Sequence, residues 1–245
     1  MRLLCEAEQT CSEADQGMLE YFPTGQGPTA IIRRQLMDRN YLQDVELYNT
    51  HVSLPDPGKS ALLVIDMQEH FSALCEIIMN NVSSAIEACR FSGVQIFFTR
   101  HGHINPAEDG GLLVEWWGEA IQYGNPDWEI VSTLVPQGQE MVIDKNRYSA
   151  FFRTNLDAMF RAKGIQDVII CGLLTNCCCE TTARDAFMRD YRVFFLSDAT
   201  ATVTEELHIA TLKNLAYAFA YILDTDSLCR YLKYSATRGI HREFT

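Results

Sequence analysis

The chain has 245 residues, 47% of them apolar, enough to bury a substantial core as one ordinary domain or two small ones, and this composition excludes intrinsic disorder and collagen-like repeats. Its 20 basic residues against 32 acidic ones leave a net charge of −12, so no broad cationic surface is available to bind nucleic acid by counterion release. No apolar run approaches the roughly 18 residues that span a bilayer, and acidic residues interrupt the start where a signal peptide would be apolar; no membrane partner and a cytoplasmic location are expected.

Residues 1–58 carry a weak pattern broken by Gly25, Gly27 and Pro28, although 31–47 can form an irregular helix or an extended arm. This stretch reads as an N-terminal extension. Its apolar Leu19, Tyr21 and Phe22 predict packing on the domain or on a neighbouring subunit of a homo-oligomer. After Pro57 and Gly58 a short apolar run, 61–65, ends in Asp66 and leads into a helical stretch over 71–92. Further runs at 94–99, 141–143, 168–171 and 193–196 predict buried strands, each followed by a longer segment, with Leu156, Met159 and Phe160 at helical spacing in one of them. Short buried strands alternating with helices predict a three-layer, Rossmann-like α/β fold, a parallel central sheet covered on both faces. Residues 205–223 read as a final packing helix, with a strand or turn near Asp224. Between Gly102 and Gln139 the chain is irregular, with paired glycines at 110 and 111, three tryptophans, Pro126 and Pro136, as expected of a lid or pocket wall.

In an open α/β sheet, ligands bind beyond the carboxyl ends of the strands. Three candidates stand there: Asp66 after the first strand, Lys145 after the 141–143 strand, and the 175–179 segment, which opens a helix after the 168–171 strand. Alone, each is as readily a helix cap or a solvated charge. Together, a thiol at a helix N-terminus, an ammonium that stabilises its thiolate and a carboxylate make a nucleophilic site. The nine cysteines, an odd number, read as reduced thiols with one reactive member. Cys177, Cys178 and Cys179 are a poor zinc set, because adjacent helical side chains diverge by about 100°.

These residues fall in recognisable motifs. LVIDMQ at 63–68, KNRYSAF at 145–151 and GLLTNCCCETTARDA at 172–186 resemble the isochorismatase-like cysteine hydrolases over about residues 59–228, which sets a hydrolase domain over 59–245 against the 1–58 extension. FFTRH at 97–101, EWW at 115–117 and DATAT at 198–202 are similar to the nicotinamidase-like group of plants. The resemblance implies a catalytic triad of Asp66, Lys145 and Cys178, and amide hydrolysis through a thioester. It implies a non-proline cis peptide at Leu173 and Leu174, and an oxyanion held by the N–H groups of Leu174 and Cys178. Phe71 matches a pocket aromatic, Trp116, Trp117 and Tyr148 can stack on a planar ring, and His101 is placed with these substrate-binding residues. Family members that hold a metal carry Asp-x-His where this chain has Thr99, Arg100 and His101; with the carboxylate missing, no metal is expected at His101 and His103, and no cofactor. The expected activity is release of ammonia from a small planar amide such as nicotinamide. The alternatives are cleavage of the vinyl ether of isochorismate, for which an acid suffices without the cysteine, and a catalytically silent scaffold.

Overall fold

The computed structural model describes residues 41–242; the readings on Leu19, Tyr21, Phe22, Gly25, Gly27 and Pro28 lie outside the described residues, as does most of 31–47. Six strands form one parallel sheet: β1 (Ser60–Ile65), β2 (Gln95–His101), β3 (Met141–Lys145), β4 (Asp167–Leu173), β5 (Arg192–Ala201) and β6 (Tyr221–Leu223), in the order β3-β2-β1-β4-β5-β6. The described helices are α1 (Tyr41–Glu46), α2 (Ser72–Ser92), α3 (Pro106–Asp109), α4 (Gly111–Trp117), α5 (Leu156–Ala162), α6 (Glu180–Phe187), α7 (Glu205–Ala218) and α8 (Thr225–Arg242).

The period-2 alternation of strand side chains divides the apolar residues between two cores. Leu62, Val64, Ile96, Phe98, Ile169 and Phe194 pack on one face against Ile78, Val82 and Ile86 of α2 and Leu228 and Leu232 of α8. Leu63, Ile65, Phe97, Ile170 and Phe195 pack on the other against Leu156 and Phe160 of α5, Ala183 of α6, and Leu212 and Leu215 of α7. Covering both faces is why β1 and β4 are buried at every position and read as unbroken apolar runs. Each large side chain so buried contributes about 1.5–3 kcal/mol. The three-layer α/β architecture is as expected.

The expected final helix over 205–223 is corrected. Helix α7 starts where Thr204 caps the Leu207 N–H at 3.2 Å, but ends at Ala218, and Tyr221–Leu223 pairs with Phe194–Leu196 as the sheet's edge strand. Aromatic and β-branched side chains at Tyr221 and Ile222 fit a pleated, half-buried surface better than a helix end. Asp224 then accepts from the Ser227 N–H at 2.6 Å and opens α8, the helix that closes the fold against α2. Phe71, expected inside the α2 helix, lies in a preceding 3-10 turn, Glu69–Phe71. The described end of the extension packs on the domain: Val45 of α1 is buried in the second core, and Asn49 bonds the Ile222 backbone in both directions, at 3.1 and 3.3 Å. Among the described residues no helix is long and apolar enough to cross a membrane.

Strand order reverses between β1 and β4, so a crevice opens there beyond their carboxyl ends. The strands approach closely at that edge. Gly172, paired with Ile65, has φ +113°, and a Cβ there would stand 2.0 Å from the Ile65 carbonyl oxygen, so the position admits only glycine.

Candidate active site

Asp66, Lys145 and Cys178 meet at this crevice. Asp66 leaves β1 with φ +47°, a left-handed turn that aspartate tolerates, closed by the Gln68 N–H bonding the Asp66 carbonyl at 2.9 Å. Lys145 ends β3 on the same face as Ile143; its ammonium forms an ion pair with Asp66 Oδ2 at 2.7 Å and donates to Cys178 Sγ at 3.3 Å and the Arg147 carbonyl at 3.1 Å. Cys178 lies in the π-helical turn Thr175–Cys179 that runs into α6, and Asp66 is near enough to act on its thiol. The turn follows a cis peptide between Leu173 and Leu174, where it was expected. The Leu174 carbonyl accepts from the N–H groups of both Cys177 and Cys179, at 3.1 and 3.2 Å.

All three side chains are buried, and the electrostatics reflect it. Burial lowers the Lys145 ammonium, but Asp66 and Cys178 outweigh it and leave the group raised. Burial pushes the Cys178 thiol well above the usual thiol range; Lys145 pulls it down, and Asp66 pushes it back up. Desolvation and the neighbouring carboxylate thus oppose the thiolate that the Lys145 ammonium favours. Cys177 is half-buried and pushed up to about 11 by burial, and Cys179 is fully buried in the second core.

The remaining candidates separate. Tyr148, three residues past Lys145, accepts the Trp117 indole N–H at 2.8 Å and lies near enough to Lys145 to feel its charge. Phe71 and Leu174 are half-buried on the α2 side. His101 is buried at the end of β2 beside Lys145 and Asp66, and burial, then Lys145, pushes it down to about 3, so its ring is neutral. Trp116 does not join them: it is 82% exposed on a helix that turns its neighbour Trp117 toward Tyr148. The His101 and His103 rings meet edge to face with centroids 5.3 Å apart, His103 being bonded to Asp109, and the Thr99 hydroxyl donates to Asp66 Oδ1 at 2.6 Å. Among the described residues, no group of three or more metal-ligating side chains converges.

A family model, the isochorismatase domain, matches residues 60–227 of the chain. Nicotinamidase 3 of Arabidopsis thaliana is 49% identical over 188 residues, covering 76% of this chain and 94% of that protein. The chain belongs to the isochorismatase family. The isochorismatase of Bacillus subtilis is 34% identical over 209 residues, covering 78% of this chain and 66% of that one. The crystal structure of a cysteine hydrolase from Pseudomonas syringae pv. phaseolicola superposes with a TM-score of 0.70 at 28% identity, covering 76% of this chain and all of that one.

Three polar residues of this isochorismatase-family hydrolase support the site without being marked as components by the sequence. Thr99 accepts from the Asp66 N–H at 3.1 Å while donating to its carboxylate, which fixes the residue at both ends. Gln68, fully buried, accepts from the His101 N–H at 2.7 Å and donates to the carbonyls of His101 and Trp128 at 3.0 and 2.8 Å, stitching β1 to β2 and to the 102–139 insertion. His208 of α7 bonds Thr175 at 2.9 Å and so anchors the turn that carries Cys178. Strand alternation places Thr99 on the face of Phe97 and shows its side; Gln68 closes the LVIDMQ motif but its partners are not legible there, and nothing local to the sequence marks His208.

Proposed function

We propose that the chain is a cysteine-dependent amidohydrolase that releases ammonia from a small planar amide, nicotinamide first among them. One observation carries the reading: the Lys145 ammonium bonds both Cys178 Sγ and Asp66 in a buried cluster at the strand-order reversal. The similarity to a nicotinamidase supports the amide and its ring.

With the thiol protonated at rest, Asp66 takes its proton as sulfur attacks the amide carbonyl. Lys145 holds Asp66 and offsets the charge developing on sulfur. The N–H groups of Leu174 and Cys178 receive the oxyanion, each worth roughly 3 kcal/mol. Asp66 returns the proton to the departing nitrogen, ammonia leaves, and a thioester to Cys178 remains. Water, deprotonated by Asp66, then attacks the thioester; the C–S bond breaks, Asp66 returns the proton to the departing Cys178 sulfur, and the carboxylic acid is released. Tyr148, Trp117, Phe71 and the neutral His101 surround the ring. Vinyl-ether cleavage requires only an acid, so it leaves the thiol within reach of Asp66 and Lys145 unexplained. The reading needs no metal, because the Thr99 hydroxyl that replaces a carboxylate is committed to Asp66.

The seven described cysteines are all unpaired, which supports the cytoplasmic placement included in this proposal. Leu112 and Trp116, exposed one turn apart on α4, support a homo-oligomer that covers them. The test is an ammonia-release assay on nicotinamide, ureidoacrylate and biuret, with pyruvate release from isochorismate in parallel, before and after chelation. Ammonia from nicotinamide that is unchanged by chelation, and reduced roughly 10³-fold or more in Cys178→Ala, is expected. Pyruvate release that persists in Cys178→Ala, without ammonia from any amide, overturns the proposal.

A further inference from the structure

The Trp117–Tyr148 pair does more than present two ring faces. An indole N–H donates and never accepts, so the 2.8 Å bond from Trp117 Nε1 assigns the Tyr148 hydroxyl oxygen as acceptor. The hydroxyl proton is thereby directed away from Trp117. Among the described residues it donates to no side chain or backbone group: the Trp117 bond is the one hydrogen bond the Tyr148 oxygen makes.

The position of this proton matters. Tyr148 follows Lys145 by three residues, in the loop whose Arg147 carbonyl accepts from the Lys145 ammonium, so it is carried on the same short tether as the charged cluster. It is partly buried against the second core and lies near enough to Lys145 for the ammonium to act on it. Trp117 is held in turn by the insertion: the Arg147 guanidinium donates to the Asp109 carbonyl at 2.8 Å and lies against Gly111 at the start of α4, where a Cβ would stand 2.8 Å from Nη2. The 102–139 insertion is therefore latched to the Lys145 loop at two points, through Arg147 and through Tyr148. A wall fixed in this way, carrying one oriented donor, discriminates between rings by whether they offer an acceptor.

We infer that Tyr148, set as a donor by Trp117, is a specificity-determining residue that hydrogen-bonds an acceptor atom on the substrate's ring, so the site selects heteroaromatic amides over carbocyclic ones. This rests on the amidohydrolase reading for its turnover arm, and the binding arm is independent of it. A ring bound against the pair strips water from the hydroxyl; a ring with an acceptor replaces that water, and one without leaves the donor unpaired.

The experiment compares nicotinamide with benzamide, which has the same shape and lacks the ring nitrogen. Equilibrium dissociation constants are measured by calorimetry on Cys178→Ala, and kcat/KM on the protein with Cys178 intact, each alone and with Tyr148→Phe or Trp117→Phe. Nicotinamide is expected to bind about 10-fold tighter than benzamide. Tyr148→Phe, which keeps the ring, should bring the two within about 2-fold by weakening nicotinamide alone. Trp117→Phe, which frees the hydroxyl to rotate, should fall between. A preference that survives Tyr148→Phe, equal binding of both amides before substitution, or no binding of either overturns the inference. If the amides bind as expected but are not hydrolysed, the amidohydrolase reading fails and the recognition role of Tyr148 stands.

Discussion

Lys145→Met keeps most of the side chain's length while removing its charge, so its effects isolate the ammonium. An ion pair to Asp66 at 2.7 Å and two hydrogen bonds, to Cys178 at 3.3 Å and the Arg147 carbonyl at 3.1 Å, disappear. Asp66 is left buried, with Thr99 as its remaining side-chain partner. Removing one member of a buried ion pair costs about 3–5 kcal/mol, against a total stability commonly of about 5–15 kcal/mol, so the variant should fold with a markedly lower urea midpoint. Adding Asp66→Asn should recover most of that loss, because the stranded charge goes too. Lys145 also holds the Cys178 thiol down, so its removal should raise the thiol further. Each unit of rise slows iodoacetamide modification at neutral pH about tenfold. Asp66→Asn alone removes the charge that opposes the thiolate, so alkylation should persist while turnover is lost. The assay is the rate of Cys178 modification against pH in a Cys177→Ser background, since Cys177 is half-buried and would contribute its own signal. An unshifted profile with an unchanged urea midpoint would refute the reasoning and leave Lys145 a packing residue.

Three other substitutions probe the supports of the site. Thr99→Val retains the shape and removes both bonds to Asp66, so kcat should fall about 10- to 100-fold with KM little changed, as steady-state kinetics will show. Gly172→Ala places a Cβ against the Ile65 carbonyl at φ +113° and should cost about 3 kcal/mol or more, visible in the urea midpoint. Burial pushes His208 down to about 4, so the unfolded chain, near 6.5, takes up the proton first as pH falls; stability is full above 6.5 and is lost toward 4. That gap is worth roughly 3 kcal/mol, and His208→Gln should flatten the fall in urea midpoint between neutral and mildly acidic pH.

Much of the fold is written into buried strands. The runs ending at Asp66 and leading to Cys178 are apolar because both sheet faces are covered, the edge strand before Lys145 is a shorter run, and ligands gather at strand ends, so those three positions stand out in the sequence. The end of α7 is not, because Ala218 is followed by residues equally compatible with one more helical turn, and only pairing with Phe194–Leu196 makes Tyr221–Leu223 a strand. The upward shift of the Cys178 thiol is hidden for a related reason: spacing shows which charges are near, whereas burial decides how strongly they act. Trp116 and Trp117 are indistinguishable as neighbouring aromatics, and the direction of α4 separates them. Gln68 and His208 hold the site through bonds to backbone and hydroxyl groups distant in sequence, which carry no local pattern.

The central claim is that Cys178 becomes acylated. Rapid acid quenching of the enzyme with nicotinamide, followed by intact and peptide mass spectrometry, reads this directly. The account predicts a hydroxylamine-labile adduct of the ring's acyl group on the peptide carrying Cys178, formed with ammonia release and absent in both Cys178→Ala and Asp66→Asn. Ammonia release at an undiminished rate in Cys178→Ala, or an adduct on Cys177 in place of Cys178, would contradict it.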